Sequence, residues 1–265
     1  MESQLSYHIL RQPDDTTCGP TCLHSVYAYF GLDVELDQLI NEVGALPDGG
    51  TLAVFLGCDA LERGFEAKIF TFNMQVFDPT WFREGAPPLA DCLLAQKHRK
   101  NSAKLSMACD AYIEFLRLGG EIEMEVLTGN LIRRFLKKNV PLLTGLSSTF
   151  LYGDSRERFD VDPSGKKAFP DDIGGWPQGH FVVLCGYDSE EREVLIADPL
   201  APNPLGADHV YPVDLDRVLN AILLGILTYD ANLLVIRPAR KGGKGNGEQP
   251  VNESADGSSI VVPGP

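Results

Sequence analysis

Residues 12–31, QPDDTTCGPTCLHSVYAYFG, constrain this chain more than any other stretch. The pattern predicts a helix with Thr17 as N-cap and Cys18 in its first turn. Pro20 is tolerated there because first-turn amides have no intrahelical acceptor. Cys22, Leu23, Val26, Tyr27, Tyr29 and Phe30 leave almost no polar face, so the helix is expected at the centre of the fold. Gly31 is placed to stop it. A thiol at a helix N-terminus sits at the positive end of the macrodipole and beside unpaired amides, and both favour thiolate. A lone cysteine is by default a small buried hydrophobe, so the meaning of Cys18 depends on what the rest of the chain supplies.

The candidate partners lie far downstream, in GHFVVLCGYD and EVLIADP. His180 opens an apolar run, 181–185, that reads as a buried strand. Residues 193–197 read as the next strand, with a turn at 188–191 between them. Antiparallel neighbours of these lengths put His180 and Asp198 at the same end of a hairpin. A base beside the thiol and a carboxylate on its second ring nitrogen is the arrangement that activates a nucleophile.

Gln12, the step from it to Cys18, the Cys18-Gly19-Pro20-Thr21 helix start, Gly179-His180-Phe181 and Asp198-Pro199 together resemble the papain-fold cysteine peptidases. The resemblance is closest to the bacteriocin-processing family, which cleaves leader peptides after two glycines. It covers two blocks, roughly 9–31 and 178–200. It implies Cys18 as nucleophile, His180 as general base, Asp198 as orienting acid and Gln12 as oxyanion donor, with no cofactor. Well-known members of that family are fused to an ABC transporter; this sequence shows no nucleotide-binding motif and no membrane span, so a stand-alone role is expected.

The formal net charge of −14 argues against a nucleic-acid partner, since phosphate binding leans on basic surface. It fits an enzyme acting on neutral-to-basic peptides. No apolar run approaches the roughly 20 residues that span a bilayer, and the N-terminus shows no signal-peptide core. A cytoplasmic enzyme is therefore expected, with its six cysteines reduced. Cys18, Cys22 and His24 do not have the spacing of a zinc site, and no metal is expected.

The fold class expected is α+β, the central helix packed on an antiparallel sheet of strands at 140–146, 180–187, 193–197 and 231–236. Helices are predicted at 35–43, 51–63, 89–97, 104–118, 128–138 and 214–225, and further strands at 65–72 and 121–125. Residues 1–238 would form one peptidase domain with a helical insertion at about 78–120, and 239–265 a disordered tail, too poor in apolar residues to offset its ordering entropy. The basic run 97–100 reads as a solvated connection. Residues 147–178 read as one long loop placed directly before the base, and loops of that length are usually functional or disordered. Trp176 and Gly179, close to His180, are candidate substrate-binding residues. Asp160, Asp162, Ser164 and Asp171 partly match a calcium loop, but Lys167 and two prolines break the pattern, and an acidic surface loop fits better.

These residues point to peptide hydrolysis through a Cys18 thioester. An acyltransferase or amide-ligase-like enzyme would use the same Cys-His-Asp site with an amine as acceptor. A silent peptide-binding module would not need a thiol facing an imidazole.

Overall fold

The computed structural model describes residues 3–46, 49–162 and 165–239. In chain order the elements are β1 (Ser3–Gln4), α1 (Cys18–Tyr29), α2 (Leu36–Glu42), α3 (Ala53–Glu62), β2 (Phe65–Thr71), α4 (Leu89–Arg99), α5 (Ala103–Arg117), β3 (Glu121–Glu123), α6 (Gly129–Leu136) and β4 (Leu142–Ser147). There follow α7 (Ser148–Tyr152), β5 (Glu157–Asp162), β6 (Gly165–Pro170), β7 (Gly179–Asp188), β8 (Glu193–Ala197), β9 (Val210–Asp214), α8 (Leu215–Leu224) and β10 (Asn232–Pro238).

The fold is α+β, and its sheet is mostly antiparallel. Among the described residues it has 8 strands in the order β3-β2-β10-β4-β7-β8-β9, with β1 added to β7. One pairing, β2 with β3, is parallel. The four strands expected from the sequence occupy its middle, and α1 packs against β7 and β4. The apolar face of α1 explains this placement: Cys22, Leu23, Val26 and Tyr27 are all buried in the core. Tyr27 donates to Asp59 on α3 (2.6 Å), and the Cys22 thiol donates to the Phe181 carbonyl on β7 (3.2 Å). Gly31 takes a φ of +81° just past the end of α1, where a side chain would be strained. Gly19 is required for a different reason. A Cβ there would lie 2.3 Å from the Thr51 methyl, so only glycine lets the start of α1 approach the start of α3.

Several expectations need correction. Residues 147–178 are not one long loop: they hold α7 and a separate antiparallel pair, β5 with β6, and Trp176 makes an isolated bridge to Glu157. The calcium reading falls on this hairpin. Its Pro163 and Ser164 lie outside the described residues, and Asp171 accepts the backbone N–H groups of Ile173 and Gly174. The run 97–100 is not a connection but the last turn and cap of α4, where basic side chains suit the negative helix end. Lys97 also pairs with Asp110 on α5. Thr17 occupies the N-cap position, but its side chain bonds the Asp14 backbone rather than the helix. The tail beyond Ala239 lies outside the described residues.

Candidate active site

The N-terminus of α1 and one end of the β7–β8 pair converge on a cleft of about 450 Å³. Cys18 is the first residue of α1 and is buried at its wall. His180 is the second residue of β7, paired with Leu146 of β4. Asp198 directly follows β8, one step beyond the Val183–Ala197 pair. Residues opposite one another in an antiparallel ladder share a face, and so do positions two apart on one strand. His180 and Asp198 therefore project on the same side, one diagonal apart. His180 Nε2 lies 2.8 Å from Asp198 Oδ1. Cys18 lies near enough to the same imidazole to help raise it, and with Nε2 engaged by Asp198, Nδ1 is the nitrogen left for sulfur.

The electrostatics of the pair follow from its burial. His180 is 7% exposed and Asp198 fully buried. Burial alone would depress the imidazole, but the Asp198 charge and hydrogen bond, with help from Cys18, lift it to about 10. Burial would likewise raise Asp198. The His180 charge and the hydrogen bonds it accepts from His180, Tyr211 and the Leu200 N–H instead hold its carboxyl well below the usual range. The imidazole is thus an imidazolium at neutral pH.

The other cysteines lack such a partner. Burial pushes Cys22 and Cys109 up, and pushes Cys58 and Cys185 up to about 12. All six cysteines are free thiols.

Gln12 also lines the cleft. Its backbone N–H bonds the Pro199 carbonyl (2.9 Å), which ties the segment before α1 to the loop after Asp198. Its Nε2 donates one hydrogen to the Asp14 carbonyl at 2.8 Å, and the amide has a second N–H to offer. Its Oε1 is buried and without a hydrogen-bond partner. Gly179 lines the cleft, and a Cβ there would lie 2.6 Å from Thr228 Oγ1, so a side chain would push this wall apart. Trp176 is 75% exposed and does not line the cleft; its backbone is fixed to Glu157. The hairpin ahead of it contributes Glu157, Phe159 and Ala168 to the wall.

Two residues that sequence reasoning missed contact Asp198 directly. Tyr152 and Tyr211 both donate to Oδ2, at 2.8 Å and 2.5 Å. Tyr211 carried a partial signal, since VYPVD alternates as a strand does. Tyr152 carried none.

Residues 6–83 match the model of the Peptidase C39 family. Over that stretch the chain is similar to the C39 cysteine peptidases. The match holds Gln12 and Cys18 and ends well before His180 and Asp198. No curated protein matches the chain. Among solved structures, a C39-like peptidase from Bacillus anthracis is similar at 15% identity, covering 90% of this chain and 98% of that one, with a TM-score of 0.46. A double glycine motif protease from an AMS/PCAT transporter, in complex with its leader peptide, is similar at 14% identity over 89% and 94% (TM-score 0.40). Xylellain, a cysteine protease from Xylella fastidiosa, is similar at 15% identity over 90% and 86% (TM-score 0.40). These likenesses are too distant to carry residue roles onto this chain. Among its described residues, no helix is long and apolar enough to cross a membrane.

Proposed function

We propose that this C39-like chain hydrolyses a peptide through a thioester on Cys18, with residues 1–238 as the catalytic unit. The observation that carries the reading is the imidazole bonded to the buried Asp198 carboxylate and lining the same cleft as Cys18, close enough to feel it. In the resting ion pair His180 already holds the Cys18 proton, and the thiolate of that pair attacks the scissile carbonyl carbon. The carbonyl electron pair moves onto oxygen, next to the Cys18 backbone N–H and the second N–H of Gln12. When that oxyanion collapses, the C–N bond breaks and the His180 proton leaves with the amine. Water, deprotonated by the now neutral His180, then attacks the thioester, releases the acid and returns the thiol. Asp198 fixes the ring orientation and supports the imidazolium throughout.

The substrate suggested by the resemblance is a peptide with two glycines on the acyl side. The test is product profiling of a synthetic peptide set with the wild type beside Cys18→Ala. Cleavage that requires Cys18 and is faster after Gly-Gly than after Ala-Ala or Leu-Ala is the expected result. Equal rates would remove the glycine preference, and cleavage surviving in Cys18→Ala would remove the thioester.

A further inference from the structure

Asp198 is fully buried, so water cannot solvate its charge and the protein must. A carboxylate offers about four acceptor sites. Oδ1 accepts from His180 Nε2 (2.8 Å) and from the Leu200 N–H (2.9 Å), and Oδ2 accepts from the hydroxyls of Tyr152 (2.8 Å) and Tyr211 (2.5 Å). The two phenols come from elements far apart in sequence. Tyr152 ends α7, directly after the β4 strand that pairs with His180, and Tyr211 lies on β9 opposite Ile196 of β8. Both nevertheless reach one oxygen.

We propose that Tyr152 and Tyr211 are positioning residues that act through Asp198 on the Cys18–His180 pair. The proposal rests on the roles given above to those three residues. Tyr211 has its hydroxyl direction fixed: Asn203 Nδ2 donates to its oxygen at 3.2 Å, which turns the phenolic proton toward Asp198. Burial and the Asp198 charge push the ionisation of both phenols far above its ordinary range, so both stay donors. Tyr152 acts a second time, because its ring stands 6.1 Å from the imidazole at a 54° tilt and restricts ring rotation. With Oδ2 clamped, the carboxylate cannot turn, and Oδ1 stays aimed at His180 Nε2. Loss of either hydroxyl leaves a buried acceptor short of a donor and frees the carboxylate to rotate.

A carboxylate freed to turn holds the imidazole less well, so loss of a phenol should weaken the His180–Asp198 bond that remains. Proton NMR of the His180 Nε2–H, assigned by its loss in His180→Ala, reads this directly. We expect the resonance to move upfield in Tyr152→Phe and in Tyr211→Phe, and further in the double variant. Asn203→Ala, which keeps both rings in place, should move it the same way but less. The rate of Cys18 alkylation by iodoacetamide should fall about tenfold in each phenylalanine variant, the scale on which a buried acceptor left short of a donor is felt. Added to Asp198→Asn, neither variant should cost more rate, because residues acting through one partner are not additive. A resonance and a rate that stay put while only the melting temperature falls would make the tyrosines structural and overturn the proposal. Further losses in the Asp198→Asn background would overturn it too. If the wild type shows neither the resonance nor selective Cys18 alkylation, the pair itself is absent, which ends the reading of the site along with this proposal.

Discussion

Asp198→Asn isolates the charge that keeps His180 protonated. Burial, the largest influence on the imidazole, favours the neutral ring, and the Asp198 charge and hydrogen bond reverse it to give a value of about 10. Moving an imidazole from its ordinary 6.5 to about 10 corresponds to on the order of 5 kcal/mol in favour of the charged form. An amide keeps the size of the carboxylate and cancels its charge, so burial then dominates and the ring is neutral at pH 7. We expect kcat to fall about 10²–10⁴-fold, with little change in KM.

Stability should follow the same charges. A histidine raised in the fold stabilises fully below its unfolded value, about 6.5, and loses that contribution as pH rises through about 10. Asp198, depressed in the fold, contributes above its unfolded value of about 3.9 and loses that contribution as pH falls through its folded value. Urea melts should therefore show the largest gap between wild type and variant at about pH 5 to 6.5, narrowing steadily from there until it closes near pH 10. Peptide cleavage measured at the same pH values completes the assay. A variant within threefold of wild type in kcat, with a stability gap that does not change between neutral and strongly alkaline pH, would refute the argument.

Gln12→Ala should lower kcat about 10²–10³-fold with KM nearly unchanged, as loss of an oxyanion donor does. A change confined to KM would make Gln12 a binding residue instead. Asp230, on the cleft wall, is raised to about 7 by burial, although Asn232 and the Ala53 N–H hydrogen-bond it and Lys104 lies near. A carboxyl raised in the fold stabilises below its unfolded value and loses that contribution as pH rises through its folded value, here from about pH 4 to 7. Asp230→Asn should therefore cost less stability at pH 8 than at pH 4 in paired urea melts. A penalty that is equal or larger at pH 8 would show that the buried carboxyl is not held neutral.

The parts of the fold that were legible in the sequence are those in which burial writes a pattern. α1 is apolar almost all round, and β4, β7, β8 and β10 are runs of buried residues. The bond from His180 to Asp198 could be anticipated because both flank one hairpin, so register alone brings them together. β9 was hidden by Pro212, which removes a donor, yet a strand at the end of the sheet order tolerates it. β5 was hidden differently. ERFDVD alternates as a strand does, but its charges and the following Pro163 and Gly165 favoured a loop reading. That hairpin forms its own two-stranded sheet, so the main core imposes no hydrophobic run on it. VYPVD alternates, but the contact of Tyr211 with Asp198, like that of Tyr152, was out of reach because a bond to one buried oxygen leaves no periodic trace.

The central claim, that Cys18 and His180 form one chemical unit, is tested most directly by brief iodoacetamide treatment of the native protein at pH 6, read by mass spectrometry. At that pH an ordinary thiol, with a value of about 8.5, is almost wholly protonated, so fast labelling reports a thiolate held by a cation. Burial pushes Cys22, Cys58, Cys109 and Cys185 away from reaction, and none of them has an imidazole beside it. The account predicts label on Cys18 alone, most of it lost in His180→Ala with the fold intact. Label spread over several cysteines, or label on Cys18 that persists in His180→Ala, would contradict it.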